Sequence, residues 1–167
     1  MLIVFDHSTP APLASHLTRH TVVEAKDNNC KVGDGMQQAL DYAFERVPSV
    51  NRALRGQLLD AYLKLDAFPD ARKVLRDLKA RGARTAILSN GSPSMLADAV
   101  ANAKLGHLLD HVISVEEAGV FKTHPSVYRL ATERLGVPAS AISFQSSNAW
   151  DAHAASAFGM RVVWCNR

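Results

Sequence analysis

From Asp70 onward the chain alternates short apolar runs with longer amphipathic ones, and that alternation leaves few folds open. Thr85-Ala86-Ile87-Leu88, Val112-Ile113-Ser114-Val115, Ile142-Ser143-Phe144 and Arg161 to Trp164 are short and apolar enough to be buried strands. The segments between them have helical spacing and helical punctuation. Asp70 is placed to cap a helix whose apolar side is Ala71, Val74, Leu75 and Leu78, with Gly82 as its stop. Ser92-Pro93 supplies a cap and an N1 proline to the next. Pro125 to Leu135 is closed by Gly136, and Asn148 to Phe158 by Gly159. Strands that alternate with such helices predict a Rossmann-like parallel α/β sheet with helices on both faces. Ligands of such sheets bind at the carboxyl ends of the strands.

Two regions depart from the alternation. Leu2-Ile3-Val4-Phe5 reads as a first core strand ending at Asp6, and the atypical remainder of residues 1–33 contains Pro10, Pro12 and the loop-like Asp27-Asn28-Asn29. In 34–66, Met36, Leu40, Phe44 and Val47 share one helical face and Leu54, Leu58, Leu59, Tyr62 and Leu65 another, with no strand between them. This predicts a reduced helical cap inserted ahead of an α/β core at 67–167.

Polar residues gather at the predicted strand ends: Asp6, Ser89-Asn90, Lys122 in Phe121-Lys122-Thr123-His124-Pro125, and Ser146-Ser147-Asn148-Ala149-Trp150-Asp151. A carboxylate such as Asp6 can attack carbon or phosphorus and leave an ester that water opens. It needs a cation to keep it ionised and aimed, and Lys122 is a candidate. Ser89 and Asn90 offer donors for a substrate carboxylate or a leaving group. Asp151 can either balance Lys122 or position the hydrolytic water. Each has a plainer reading as well: Asp6 and Asp151 as caps, Ser89 and Asn90 as loop formers, Lys122 on the surface and Trp150 in the core.

Residues 59–167, about two thirds of the chain, resemble the L-2-haloacid dehalogenases of the haloacid dehalogenase superfamily, through the strings LLDAYLKLDAFPDA, AILSNGSPSMLADAVANAKL, VFKTHPSVYRLA and SFQSSNAWDAHAASAFGMRVVWCNR. LSNGSPSML and SSNAWD are specific to that branch. The resemblance implies that Ser89 binds the substrate carboxylate, Asn90 helps hold the departing halide, and Lys122 pairs with the nucleophile Asp6. It implies that Tyr128, Ser146, Asn148 and Asp151 complete the network around ester and water, with Trp150 packed beside them. The implied reaction displaces halide from carbon 2 of a short 2-halo carboxylic acid, with inversion and without a metal or other cofactor. A homodimer is compatible with this reading.

The front end departs from the family. Its pattern D-x-x-G-T is replaced by Asp6-His7-Ser8-Thr9-Pro10. Neither Arg19 nor Arg46 stands in a recognisable version of the segment that carries the family's halide-gripping arginine. The opening LIVFDHSTPAPLASHLTRHTVVEA also resembles the start of a PIN-like nuclease family, and the pattern is compatible with an inactive relative that only binds small acids. Magnesium phosphatases of the superfamily carry a second Asp two residues after the nucleophile, where this chain has Ser8, so a metal site is not expected. Cys30 and Cys165 are the only cysteines and form no framework or zinc motif, which fits a reducing cytoplasm. The net charge of +3 is dispersed, without a basic run, so no nucleic-acid partner is expected. The start is too soon polar for a signal peptide, and no apolar run is long enough for a membrane span.

Overall fold

The computed structural model describes residues 2–5, 32–61 and 63–165. Asp6, His7, Ser8, Arg19, Cys30 and Tyr62 lie outside these described residues.

Five parallel strands form one sheet: β1 Leu2–Phe5, β2 Thr85–Ser89, β3 His111–Ser114, β4 Ile142–Ser146 and β5 Arg161–Trp164, in the order β3-β2-β1-β4-β5. β1 is the central strand. Its Phe5 stands in register with Ile87 of β2 and Gln145 of β4. The chain steps outward from β1 to β2 to β3, then crosses back to β4 and steps outward the other way. The strand order therefore reverses between β1 and β4, and the crevice at the carboxyl ends there is where such sheets bind ligands.

Six α-helices lie among the described residues: α1 Val32–Arg46, α2 Arg55–Ala61, α3 Ala71–Ala80, α4 Pro93–Asn102, α5 Pro125–Leu135 and α6 Ala149–Ala157. Right-handed crossovers put α3 and α4 on one face of the sheet and α5 and α6 on the other. Two apolar clusters match this. Leu75, Ala103, Leu105 and Leu108 pack together on the α3–α4 side. Val127, Tyr128, Ala131, Leu135 and Ala155 join Ala86, Leu88, Ile113, Ile142 and Phe144 on the other. All five residues of β2 are buried, as expected of a strand covered on both faces.

The helix signals in the sequence work as physical devices. The Ser92 hydroxyl accepts from Met95 N at 3.3 Å ahead of Pro93. Gly136 closes α5 with φ of 61°, a left-handed conformation that costs glycine little.

Four sequence expectations need correction. Asp70 stands at the N-cap position of α3 but in helical backbone, and its side chain makes no capping bond. Val74 is exposed rather than part of the buried face. β3 runs one residue earlier than expected, and Val115 opens a 3-10 turn held by the Ser114 hydroxyl. The second helical face of the cap is broken up: Asn51 caps a 3-10 turn at Arg52–Leu54, α2 ends at Ala61, and Leu54 is exposed. Leu40 and Phe44 of α1 are buried as the pattern required, and Arg55 pairs with Asp41 at 2.8 Å. No helix among the described residues is long and apolar enough to cross a membrane.

Candidate active site

The carboxyl edge around β1 and β4 holds a sealed polar cluster. β4 alternates, with Ile142, Phe144 and Ser146 buried on one side. The first two belong to the apolar core of that face, while Ser146, at the strand end, turns the same face polar. α6 starts three residues later and brings Asp151 there in its first turn. Lys122 arrives from the loop before α5, and Tyr128 from α5 itself.

The Lys122 Nζ lies 2.9 Å from Asp151 Oδ2, and neither side chain has any solvent exposure. Asp151 accepts two further bonds, from the Tyr128 hydroxyl at 2.7 Å on Oδ1 and from the Ser146 hydroxyl at 3.3 Å on Oδ2. Both oxygens are thus engaged by donors, which suits an ionised carboxylate. The geometry thus brings Asp151 against Lys122. The Ser146 Oγ also accepts from Asn148 N at 3.2 Å, which fixes the turn into α6.

Ser89 and Asn90 stand at the adjacent strand end. Asn90 Oδ1 accepts from Lys122 N at 3.1 Å, which ties the β2 loop to the lysine. What Asn90 can offer an anion is then its amide N–H group. Ser89 is buried, and its oxygen accepts from Gly91 N at 3.1 Å, so its O–H is the group it can present. Trp150, expected either in the core or as a site wall, is half exposed. Arg46 lies on the ring of Tyr42, 5.0 Å from its centroid, one turn back on α1.

Of the sequence candidates, the structure joins Lys122, Asp151, Tyr128 and Ser146 directly, and Asn90 and Asn148 through backbone bonds. Two residues were missed. Phe144 places its ring centroid 5.2 Å from Lys122 Nζ; its signal was the two-residue spacing from Ser146. Ser114 donates to Gly91 O at 2.7 Å and so holds the loop after Ser89; its signal was a hydroxyl within an apolar strand. No group of three His, Cys, Asp or Glu side chains among the described residues could hold a metal ion. The surface hollow lined by Val137, Pro138, Ala139 and Phe158 lies toward the amino edge of β4, away from this cluster.

Comparisons with known proteins point to one family. A family model described as haloacid dehalogenase-like hydrolase matches residues 12–159, a span that includes much of the segment that looked atypical in sequence and begins after Asp6. The chain is 47% identical over 131 residues to (S)-2-haloacid dehalogenase 1 of Pseudomonas sp. (strain CBS-3), covering 78% of this chain and 58% of that protein. It is 45% identical over 111 residues to haloacetate dehalogenase H-2 of Moraxella sp. (strain B), covering 66% and 50%. The chain thus spans little more than half the length of these relatives. The solved L-2-haloacid dehalogenase from Xanthobacter autotrophicus with chloropropionic acid covalently bound superposes with a TM-score of 0.81 at 29% identity, covering 99% of this chain and 77% of that one.

Proposed function

The chain belongs to the haloacid dehalogenase-like hydrolases, and from that membership we propose that it hydrolyses short L-2-haloacids through an ester on Asp6. A carboxylate oxygen of Asp6 attacks carbon 2 from the side opposite the halogen. The carbon–halogen bond breaks with its electron pair, halide departs, and carbon 2 inverts. Water then adds to the carbonyl carbon of the aspartyl ester. The 2-hydroxy acid leaves, a proton passes to solvent, and the Asp6 carboxylate is restored.

In this reading Lys122 keeps Asp6 ionised and aimed, and Asp151, its buried partner, holds the ammonium in place. Tyr128, Ser146 and Asn148 hold Asp151 and the turn it sits on. Ser89 donates to the substrate carboxylate, and the amide of Asn90 steadies the halide as it gains charge. Trp150 walls the substrate side. The proposed partner is a small 2-halo acid, with a second copy of the chain as the protein partner and the cytoplasm as the compartment. No step calls for a metal or cofactor.

One observation carries the proposal: a fully buried Lys122–Asp151 pair lies beside the topological switch point, with Lys122 in the loop before α5 and Asp151 in the first turn of the helix that follows β4. A buried ion pair contributes little net stability, so its position fits chemistry better than folding. The relatives' names, (S)-2-haloacid dehalogenase and haloacetate dehalogenase, support the substrate class. The family match over residues 12–159, which takes in much of the opening segment, favours the dehalogenase reading of that segment over the nuclease one.

The test is halide release from L-2-chloropropionate, with the D-enantiomer as control. The wild type is expected to release chloride from the L form alone and yield the inverted hydroxy acid. Asp6→Asn is expected to lose at least about a thousandfold. No release by the wild type would favour the inactive-relative reading, and equal release by both would remove Asp6 from the mechanism.

A further inference from the structure

We infer that Phe144 is a positioning residue, whose ring face holds the Lys122 ammonium in place beside Asp151. The Lys122 Nζ lies over the Phe144 ring at 5.2 Å from its centroid, within the roughly 6 Å at which a ring quadrupole attracts a cation. Phe144 has no solvent exposure, and neither has the lysine side chain. With water excluded, the attraction is at the strong end of its range. The same ring meets Tyr128 in a T-shaped contact, with centroids 6.0 Å apart and planes at 79°. Tyr128 in turn holds Asp151 at 2.7 Å. One ring thus touches both the cation and the residue that fixes its counter-ion.

The chemistry explains why an aromatic residue suits this place. A lysine ammonium is a compact charge on a flexible four-carbon stem. Asp151 takes one of its N–H bonds. A further acceptor in the wall would take another and compete with any second carboxylate. A π face attracts the charge without consuming a directional N–H bond, so Phe144 steadies Lys122 while leaving its hydrogens to carboxylates. The strand sets this up: Phe144 and Ser146 share one side of β4, two residues apart, and both face the Lys122–Asp151 pair. A leucine would fill most of the space without the attraction.

The kinetic part rests on the dehalogenase reading; the structural part does not. In the full chain, Phe144 is replaced by phenylalanine bearing one, two and three ring fluorines, which drains the π face with little change of shape. The unfolding equilibrium is expected to move toward the unfolded state in steps, reaching about tenfold with the trifluoro ring. The steps should vanish in a Lys122→Met background or, should that variant not fold, in Lys122→Met with Asp151→Leu. Chloride release from L-2-chloropropionate should fall in the same steps through kcat, with KM unchanged. Steps that persist without the lysine would overturn the inference, as would a flat kcat series in an active wild type. Lysine-dependent steps in a wild type that releases no halide would uphold the positioning role and sink the dehalogenase reading alone.

Discussion

Two lysine–aspartate pairs sit at opposite edges of the same sheet, and they are built differently. At the amino edge, Lys79 bonds to Asp110, whose other oxygen accepts from Thr85 N at 2.7 Å. Both side chains are partly exposed, at 34% and 28%. At the carboxyl edge, Lys122 and Asp151 are sealed completely. The first pair ties the end of α3 to the starts of β2 and β3, and water is available to either partner if the bond opens. The second has no such refuge, so each partner depends on the other. Removing one member of a buried pair costs about 3–5 kcal/mol, whereas exposed pairs contribute about 0–1 kcal/mol. A chain that needed only the fold could have used apolar residues where Lys122 and Asp151 stand.

The largest effect that could break this contrast comes from Lys122→Met. It should destabilise the fold by about 3–5 kcal/mol in denaturant titration by stranding the Asp151 carboxylate. It should also abolish halide release, by a factor of about a thousand or more. Adding Asp151→Leu should recover most of the stability and none of the activity. If the double variant regained activity, the pair would have no part in the chemistry.

A smaller effect is expected from Tyr128→Phe, which removes the donor to Asp151 Oδ1. Loss of a hydrogen bond to a buried charge should lower stability by about 1.5–3 kcal/mol and lower kcat by about tenfold. Unchanged kcat would show that the orientation of Asp151 does not matter to Lys122.

At the amino edge, Lys79→Met should cost no more than about 1 kcal/mol and leave halide release as it was. A large loss of activity there would erase the distinction between the two edges.

The smallest effect is a pH signature. The Lys79 ammonium, and then the backbone N–H of Thr85, hold the Asp110 carboxyl below the usual carboxylate range. A depressed folded-state value means the stabilisation is present above the unfolded value and fades as pH falls through the folded one. Asp110→Asn should therefore flatten stability against pH below about 4, measured by thermal unfolding, and change nothing near neutrality beyond a constant offset.

How legible these edges were in the sequence follows from their physics. β2 could be read because a strand covered on both faces is continuously apolar, and α5 because Pro125 and Gly136 mark its ends. Lys122 and Asp151 were legible as residue types at strand ends and within family strings. Their mutual burial was not, since it depends on the crossover from β3 to β4 bringing distant segments together. Asp70 misled because an Asp before an apolar run has the right chemistry for a cap, while the backbone there is already helical. The cap misled because Leu54, Leu58 and Leu59 keep helical spacing across a 3-10 turn that Asn51 starts. Phe144 looked like core, and it is; nothing in its local sequence showed that a lysine from another loop would end on its ring.

The claim that all of this serves is that a carboxylate at the end of β1 forms an ester with the substrate. A single turnover in water enriched in oxygen-18, with protein in excess over L-2-chloropropionate, tests it directly. Water that opens an aspartyl ester leaves its oxygen on the protein, so the peptide containing Asp6 should gain one heavy oxygen while the first hydroxy acid released stays light. Heavy oxygen in that first product and none in the peptide would mean that water attacks the substrate itself, and would contradict the account.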